Sequence, residues 1–241
     1  MANLYIVATP IGNLEDISLR ALRILKEVDL ILCEDERVTR KLLNKYQIRT
    51  PILSYHQHSK LKKEEYIISL LREGKNLALV SDAGTPGISD PGGKLISRLV
   101  EELMSNEKVK ISSTHQPINP LTIIPIPGPC AITCAASVSG FSMDRFLFLG
   151  FLPKKKKRKK FFEEILKSKY PVIFYESPYR LVKTLEELKN LNQRFKICLA
   201  KELTKKFETI YYGELDEVLE KIKKEKIKGE FVVIVKKINE K

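Results

Sequence analysis

Short apolar runs alternate along the chain with longer stretches in which apolar residues recur every three or four positions. The run Leu4–Ala8 is typical of a buried strand, and Leu19, Leu22 and Leu25 then share one face of a helix for which Asp16 is the expected N-cap. Further helices are expected from about Arg37 to Tyr46, at Leu61–Glu73, from Pro91 past Leu103, at Arg180–Asn190 and at Asp216–Lys226. Further strands are expected at Leu30–Cys33, Leu77–Ser81, Thr122–Ile126, Phe146–Phe151, Val172–Tyr175, Lys196–Ala200, Thr209–Tyr212 and Phe231–Val235. This alternation predicts an α/β fold.

The pattern changes in the second half of the chain, where strands outnumber helices. The change comes after Gly140, and two α/β domains joined near Gly128–Ala131 are expected, at 1–128 and 129–241. The stretch Met104–Pro120 is polar and aperiodic, and it is long for a loop inside a compact domain. It is interpreted as a surface excursion, with a flexible functional loop as the alternative.

Composition narrows the class of protein. Of 241 residues, 43% are hydrophobic and 30% are charged, which provides for packed cores and argues against global disorder. No apolar run approaches the roughly 18–20 residues that cross a bilayer, and the first residues lack the basic segment of a secretory signal. Four scattered cysteines suit a reducing compartment, so a cytoplasmic location is expected. The net charge of +13 favours a polyanionic partner, most often nucleic acid, unless it reflects a general lysine bias.

Three turns rich in glycine and proline follow predicted strands, at Ala8–Asn13, Asp82–Gly92 and Ile126–Ala131. None has the glycine spacing and lysine of a P-loop or the spacing of the dinucleotide fingerprint. Because ligands of open α/β sheets bind beyond the carboxyl ends of strands, the three turns are expected to converge on one crevice. Backbone groups would then bind a ligand with polar and apolar parts. The alternative for each turn taken singly is an ordinary structural turn.

Seven blocks of sequence, in this order along the chain, carry a resemblance to a known family. They read LYIVATPIGNLEDIS, LCEDERVTRKLL, LVSDAGTPGISDPGG, IPIPGPCAITCA, FLGFLPKK, FYESPYRL and AKELTKKFE. Together they resemble the tetrapyrrole-methylase superfamily, and within it the branch that methylates the ribose 2′-oxygen of a decoding-centre cytidine in 16S rRNA. The resemblance spans Leu4–Val235 and implies a two-domain class III methyltransferase, each domain a mixed sheet flanked by helices, with S-adenosylmethionine in the interdomain cleft. It also implies the small ribosomal subunit as substrate and a homodimer.

The same resemblance implies a set of cofactor-binding residues. In the three turns they are Pro10, Asp82, Gly84, Pro86, Ile88, Cys130 and Ala131. In the second domain they are Tyr175, Ala200 and Gly229, with Glu176, Lys201 and Glu230 beside them.

A ribose hydroxyl is a weak acid, so a base is expected to take its proton during methyl transfer. Glu34 and Asp35 follow a predicted strand and are the first candidates for this catalytic role. The alternative is that Asp35 merely caps the helix that follows. Glu176 and Glu202 are the rival catalytic carboxylates from the second domain.

Basic residues provide the expected contacts to RNA phosphates. Arg37 and Arg40 lie on the helix after the acidic pair, and the run Lys154–Lys160 follows a predicted strand. Within that run the expected RNA contacts are Lys155, Lys156, Arg158 and Lys159. A merely solvated face is the alternative for the run. The chain ends soon after its last predicted strand, whereas some members of the branch continue, so the run would compensate for a missing RNA-holding segment.

Other readings of these features stay open. No metal site is expected at His56 and His58, since further ligands at suitable spacing do not accompany them, and Cys130 and Cys134 are expected to be small core residues. A tetrapyrrole C-methyltransferase and a non-enzymatic RNA-binding assembly protein are the rival functions. The EDER, DAGTP and KELTK blocks favour the rRNA branch.

Overall fold

The computed structural model describes residues 2–56, 61–108, 121–154, 157–191 and 193–238. The chain divides into two compact units, Met1–Cys130 and Ala131–Lys241, so the division falls two residues after the boundary expected at residue 128. Each unit contains a five-stranded sheet flanked by helices, which confirms the α/β fold.

The N-terminal unit alternates strand and helix along its whole length. Its strands are β1 (Ala2–Val7), β2 (Leu30–Cys33), β3 (Ile52–Ser54), β4 (Leu77–Leu79) and β5 (Leu121–Ile126), in the order β3-β2-β4-β1-β5. Its helices are α1 (Leu19–Glu27), α2 (Glu36–Lys45), α3 (Leu61–Arg72) and α4 (Gly92–Lys108). The resemblance implies a mixed sheet, and the structure differs, because each strand pair here is parallel. One helix between each two successive strands returns the chain to the same edge of the sheet.

Helices cover both faces of this sheet. Successive side chains of a strand point to opposite faces, so Ile31 and Val80 pack with α1 and α2, whereas Leu32 and Leu79 pack with α3 and α4. All four side chains are almost fully buried. The sheet is therefore a rigid platform from whose carboxyl edge the connecting turns project.

Two local features of this unit differ from the sequence prediction. The strand β3 is missing from the predicted set because it has only three residues, each half-buried, directly after Pro51. The N-cap of α1 is Ser18, whose Oγ accepts a hydrogen bond of 3.1 Å from the N–H of Ala21, so the expected N-cap at Asp16 is wrong. Asp16 instead ends a short 3-10 helix that precedes α1.

The C-terminal unit contains a mixed sheet. Its strands are β6 (Leu147–Phe151), β7 (Val172–Glu176), β8 (Phe195–Lys201), β9 (Thr209–Glu214) and β10 (Phe231–Lys237), in the order β6-β7-β10-β8-β9. Only the β6–β7 pair among these neighbours is parallel. The helices are α5 (Ala131–Ser137), α6 (Arg158–Lys167), α7 (Leu181–Lys189) and α8 (Leu215–Lys223).

The register of this sheet brings candidate residues to one edge. Phe231 at the start of β10 pairs with Glu176 of β7 on one side and with Lys201 of β8 on the other. Near the opposite edge Lys236 pairs with Lys196. The α6, α7 and α8 helices pack on one face of the sheet through buried apolar side chains, and α5 contacts β10.

Candidate active site

Three turns meet at the carboxyl edge of the N-terminal sheet. The turns after β1 and β4 are joined by a backbone pair, in which Thr9 N donates to Gly84 O over 2.9 Å and Gly84 N donates to Thr9 O over 3.0 Å. The turns after β4 and β5 are joined because Thr85 Oγ1 donates to Pro129 O over 3.1 Å. The convergence that the sequence predicts is therefore present within this unit.

Two glycines make this close approach possible. Gly84 has a φ of +86°, in the left-handed region that favours glycine. A Cβ added at Gly128 would lie 2.9 Å from the Cβ of Ala8, closer than two carbon atoms can pack. A side chain at residue 128 would therefore separate the turn after β5 from the turn after β1.

The expected cofactor residues of these turns differ in exposure. Ile88 leaves 40% of its surface exposed, so its side chain is available to a ligand. The partly buried members are Asp82, Cys130 and Ala131. The buried members are Pro10, Gly84 and Pro86, which shape the backbone through the proline rings and the positive φ of the glycine.

The segments that follow β2 and β4 meet at Asp82. Its Oδ1 accepts a hydrogen bond of 2.9 Å from the backbone N–H of Asp35. Burial raises the pKa of Asp82, and the hydrogen bond from Asp35 only partly opposes that rise. The acidic segment after β2 is thus part of the same site as the turn after β4.

Glu34 has the environment of a tuned carboxyl group. Burial raises its pKa, and the negative charges of Asp82, Asp90 and Asp35 raise it further. Among the residues that the structure describes, no side chain forms an ion pair with Glu34 and its carboxylate accepts no hydrogen bond. A carboxylate with a raised pKa and unused acceptor atoms can take a proton from a substrate.

Asp35 has a structural role beside Glu34. It is the N-cap of α2, and its carboxylate accepts hydrogen bonds from the backbone N–H of Arg37 at 2.8 Å and from the guanidinium of the same residue. These hydrogen bonds lower the pKa of Asp35 to about 2. A carboxylate with so low a pKa is a weak base and is a poor acceptor for the proton of a substrate at neutral pH. The structure therefore shows Asp35 as a helix cap, the alternative offered by the sequence.

Two turn residues hold the site together: Asp90, which the sequence predicts as an acceptor in its turn, and Thr9, which the sequence did not single out. Asp90 Oδ1 accepts from Gly87 N at 2.8 Å and from Gly92 N at 2.7 Å, which closes the turn after β4. Thr9 Oγ1 donates to Ser81 O at 3.0 Å. The signal for these residues is a Thr or Asp inside a Gly/Pro turn, where short polar side chains bond to nearby backbone.

In the C-terminal unit Glu176 is buried and its acceptors are used. Its carboxylate accepts from Thr184 Oγ1 at 2.7 Å and from Ser177 N at 2.7 Å, and it pairs with Arg180 at 2.7 Å. The neighbouring Tyr175 ring packs against two phenylalanine rings of the same sheet. Glu176 therefore orders the end of β7 and the start of α7.

Glu202 is held in a second network at the same sheet edge. Its Oε1 accepts from Glu230 N at 2.9 Å and from Lys205 Nζ at 3.0 Å. Burial would raise the pKa of Glu202, but these two donors outweigh it and lower the pKa. A Cβ at Gly229, whose φ is +96°, would lie 2.5 Å from the Glu202 side chain, so this approach requires glycine.

The expected RNA-binding residues differ in how far they are available. Arg37 and Arg40 are largely exposed and pair with the neighbouring Asp35 and Glu36 on α2. Arg158 begins α6, where its guanidinium pairs with Glu187 and donates to Thr184 Oγ1 over 2.9 Å, and its side chain is only 14% exposed. Exposed lysine Lys159 follows on the same helix. Two further expected contacts, Lys155 and Lys156, lie outside the described residues.

Within the described ranges, no group of three or more His, Cys, Asp or Glu side chains is placed to hold a metal ion. His58 lies outside the described residues, as do residues 109–120 of the polar stretch. No helix in the described part of the chain is long and apolar enough to cross a membrane.

Several known proteins resemble this chain in sequence or in fold. The sequence model of the tetrapyrrole (corrin/porphyrin) methylases matches residues 3–219. A Thermotoga maritima protein named ribosomal RNA small subunit methyltransferase I is 42% identical over 235 residues, which cover 98% of each chain. A protein of the same name from Halalkalibacterium halodurans is 43% identical over 239 residues, covering 99% of this chain and 77% of its own. A solved cobalt precorrin-4 methyltransferase of cobalamin biosynthesis matches with a TM-score of 0.64 at 17% identity, covering 97% of this chain and 94% of its own, which shows the shared fold.

Proposed function

The chain belongs to the tetrapyrrole (corrin/porphyrin) methylase family, and from this premise we propose that it methylates ribosomal RNA of the small subunit. The observation that carries the proposal is the 42% identity to the Thermotoga maritima protein over nearly all of both chains. The finer proposal is transfer of a methyl group from S-adenosylmethionine to the ribose 2′-oxygen of a decoding-centre cytidine in 16S rRNA. A cytoplasmic homodimer acting on the small ribosomal subunit belongs to the same proposal.

The converging turns of the N-terminal unit suit S-adenosylmethionine, which combines a nucleoside with a charged amino-acid tail. Close backbone approach at Gly84 and Gly128 leaves main-chain groups near the ligand, and the exposed Ile88 offers an apolar contact. The carboxylates of Asp82 and Glu34 favour a cationic ligand. The proposed cofactor residues remain Pro10, Asp82, Gly84, Pro86, Ile88, Cys130, Ala131, Tyr175, Ala200 and Gly229.

The proposed chemistry assigns the proton to Glu34. When bound, S-adenosylmethionine supplies a methyl group on a cationic sulfur, open to in-line attack by an oxygen. Glu34 would accept the proton of the ribose hydroxyl as the new oxygen–carbon bond forms and the sulfur–carbon bond of the donor breaks, so that S-adenosylhomocysteine leaves as a neutral thioether. Its raised pKa supports this assignment, whereas Asp35, Glu176 and Glu202 are each engaged in hydrogen bonds that order the protein.

The proposed RNA contacts are cations that can exchange their present partners for phosphate. Exposed ion pairs contribute little net stability, so Arg37 and Arg40 can release Asp35 and Glu36 at small cost. Lys159 is exposed, so it is proposed to bind a phosphate, and the same role is proposed for Lys155 and Lys156. Arg158 is a weaker candidate, because its ion pair with Glu187 is mostly buried.

A label-transfer assay tests this function against its rivals. The purified protein is incubated with methyl-labelled S-adenosylmethionine and, in separate reactions, with undermethylated small subunits, free 16S rRNA and uroporphyrinogen. The proposal expects label in 16S rRNA from at least one of the first two substrates. Label in the porphyrinogen alone would assign the chain to tetrapyrrole methylation, and RNA binding without any transfer would identify a non-enzymatic assembly protein.

A further inference from the structure

We infer that a basic pocket in the C-terminal unit binds an unpaired nucleotide stretch of the RNA substrate, an inference that rests on the proposed function. The pocket has a volume of about 500 Å³, and we call it the Phe207 pocket. It is lined by Phe207 and by the four lysines Lys201, Lys206, Lys226 and Lys228. Two carboxylates, Glu202 and Glu208, also line it and accept hydrogen bonds from the backbone N–H groups of Glu230 and Thr204, and Gly229, one of the proposed cofactor residues, lies in the same lining. A volume in this range accommodates a small molecule or a single nucleotide.

Three of these four lysines form no ion pair with a carboxylate of the described residues. The Nζ of Lys201 lies 3.5 Å from a carboxylate oxygen of Glu225, so its charge is compensated. In the part of the chain that the structure describes, Lys206, Lys226 and Lys228 have no carboxylate within ion-pair distance, and all three are exposed. A cluster of unpaired cations around a pocket attracts a polyanion, and each lysine can meet one phosphate.

Phe207 supplies the feature that distinguishes RNA from other polyanions. Phe207 is 69% exposed, although phenylalanine side chains are more often buried inside a protein. The ammonium of Lys206 lies 5.6 Å from the ring centroid. An exposed aromatic ring beside lysines is the arrangement on which unpaired bases stack while the backbone phosphates meet the cations.

The segment that carries Phe207 is fixed in its conformation before any ligand binds. Glu202 and Thr204 have φ values of +52° and +65°, which are strained for residues other than glycine. The strain is held by hydrogen bonds from Glu230 N to the Glu202 carboxylate and from Thr204 N to the carboxylate of Glu208. A preformed platform loses little conformational entropy on binding, so the strain is consistent with a binding role.

The direct test uses a fluorescently labelled oligouridylate of about ten nucleotides, long enough to cover one small single-strand site. Phe207→Ala is compared with Phe207→Tyr, which keeps a ring for stacking. The charge variant Lys206→Gln/Lys226→Gln/Lys228→Gln is compared with Lys169→Gln/Lys196→Gln/Lys236→Gln. The control removes three exposed lysines at the opposite edge of the same sheet, so both variants lose the same net charge.

The inference expects Phe207→Ala to weaken oligouridylate binding roughly tenfold and Phe207→Tyr to restore it. The pocket charge variant should reduce the slope of log affinity against log salt concentration by about 2, because each of three lost phosphate contacts contributes about 0.7. The control variant should change this slope less. The same pocket variants should raise KM for the small subunit. Equal effects of pocket and control variants would overturn the inference.

Two further outcomes would also overturn it. Loss of S-adenosylmethionine affinity in Phe207→Ala, measured by calorimetry, would assign the pocket to the cofactor. Weaker binding of the small subunit with unchanged oligouridylate binding would assign it to a ribosomal protein. The proposed function is judged separately, by label transfer with the unmodified protein. If label is transferred but the pocket variants bind RNA like the wild type, only the inference is wrong. If RNA binding depends on Phe207 but no label is transferred, only the proposed function is wrong.

Discussion

The backbone N–H of Asp35 donates a hydrogen bond of 2.9 Å to Oδ1 of Asp82. This bond crosses between the segments that follow two neighbouring parallel strands, β2 and β4. It fixes the acidic segment that contains Glu34 relative to the turn proposed to bind the cofactor. One side chain therefore couples the proposed base to the proposed methyl-donor site.

Replacing Asp82 tests this coupling. Asp82→Ala removes the acceptor and leaves the Asp35 N–H partly buried without it, so S-adenosylmethionine affinity should fall about tenfold or more. Asp82→Asn keeps a carbonyl acceptor and should retain more of that affinity. Calorimetric titration measures both, and thermal unfolding checks that the variants fold. Wild-type affinity in folded Asp82→Ala would remove Asp82 from the cofactor site.

Replacing Glu34 tests the assignment of the base. Glu34→Gln should lower the single-turnover rate of methyl transfer by about 10²- to 10⁴-fold, the usual contribution of general-base assistance. S-adenosylmethionine affinity should change little. Glu36→Gln is the matched control, since Glu36 is an exposed carboxylate two residues away that pairs with Arg40. Equal rates for the two variants would move the base to another carboxylate.

The pH dependence of the same rate gives an independent check. Glu34 must be ionised to accept a proton, and its pKa is raised above the ordinary glutamate value of 4.5 by burial and by neighbouring carboxylates. The single-turnover rate should therefore fall on acidification at a pH above 4.5. The acidic limb should disappear in Glu34→Gln. A limb that survives in this variant would belong to a different group.

Gly128 tests the packing of the three turns. Gly128→Ala places a methyl group 2.9 Å from the Cβ of Ala8, and such overpacking costs about 1–3 kcal/mol of the free energy of unfolding. Ala8→Gly/Gly128→Ala removes the clashing carbon, so it should recover part of the stability and of the S-adenosylmethionine affinity. Urea unfolding and calorimetry measure the two quantities. Gly128→Ala with wild-type values for both would show that the turns tolerate separation.

Glu64 tests the stability of the N-terminal unit rather than its site. The buried carboxylate accepts from Arg98 at 2.8 Å and from the hydroxyl of Tyr55 at 3.1 Å. Burial would raise its pKa, but Arg98, Tyr55 and the nearby Lys94 outweigh this and lower the pKa. Glu64→Gln should lower the free energy of unfolding by about 1 kcal/mol at neutral pH, a value reduced by the partial exposure of Arg98.

The pH dependence of that loss follows from the sign of the shift. A lowered pKa in the folded protein means that the contribution is present above the ordinary glutamate value of 4.5 and is lost as the pH falls through the folded value. The difference between wild type and Glu64→Gln should therefore shrink below about pH 4.5. Urea unfolding at several pH values measures it, and a difference independent of pH would contradict the ionic account.

Strong local patterns made most of the fold predictable from the sequence. The run Leu30–Cys33 was recognisable because a buried parallel strand is a continuous apolar run, and its bounds agree with β2. The helix α6 is absent from the predicted set, because lysines dominate its first turn and its apolar residues begin only at Phe161. The N-cap of α1 was misplaced because Asp16 and Ser18 are both good capping residues, and only geometry separates them.

The site was predictable to the level of its turns but not of its individual carboxylates. Glycine and proline after apolar runs locate the turns, since both residues have strong backbone preferences. The raised pKa of Glu34 comes from burial and from carboxylates distant in sequence, such as Asp82, which no local pattern reveals. The lowered pKa of Asp35 comes from hydrogen bonds with Arg37 at the cap of α2, a local role that the sequence offered only as an alternative. Likewise, the structural role of Glu176 depends on a hydrogen bond from Thr184, eight residues later in α7, which no local pattern predicts.

The most direct measurement of the central claim is the position of the transferred methyl group. Undermethylated small subunits are incubated with S-adenosylmethionine and either the wild-type protein or Glu34→Gln, and nucleosides from the digested 16S rRNA are identified by mass spectrometry. The account predicts one 2′-O-methylated cytidine in the decoding centre with the wild-type protein and a rate lower by about 10²-fold or more with Glu34→Gln. A methyl group on a base, or none in the rRNA, would contradict it.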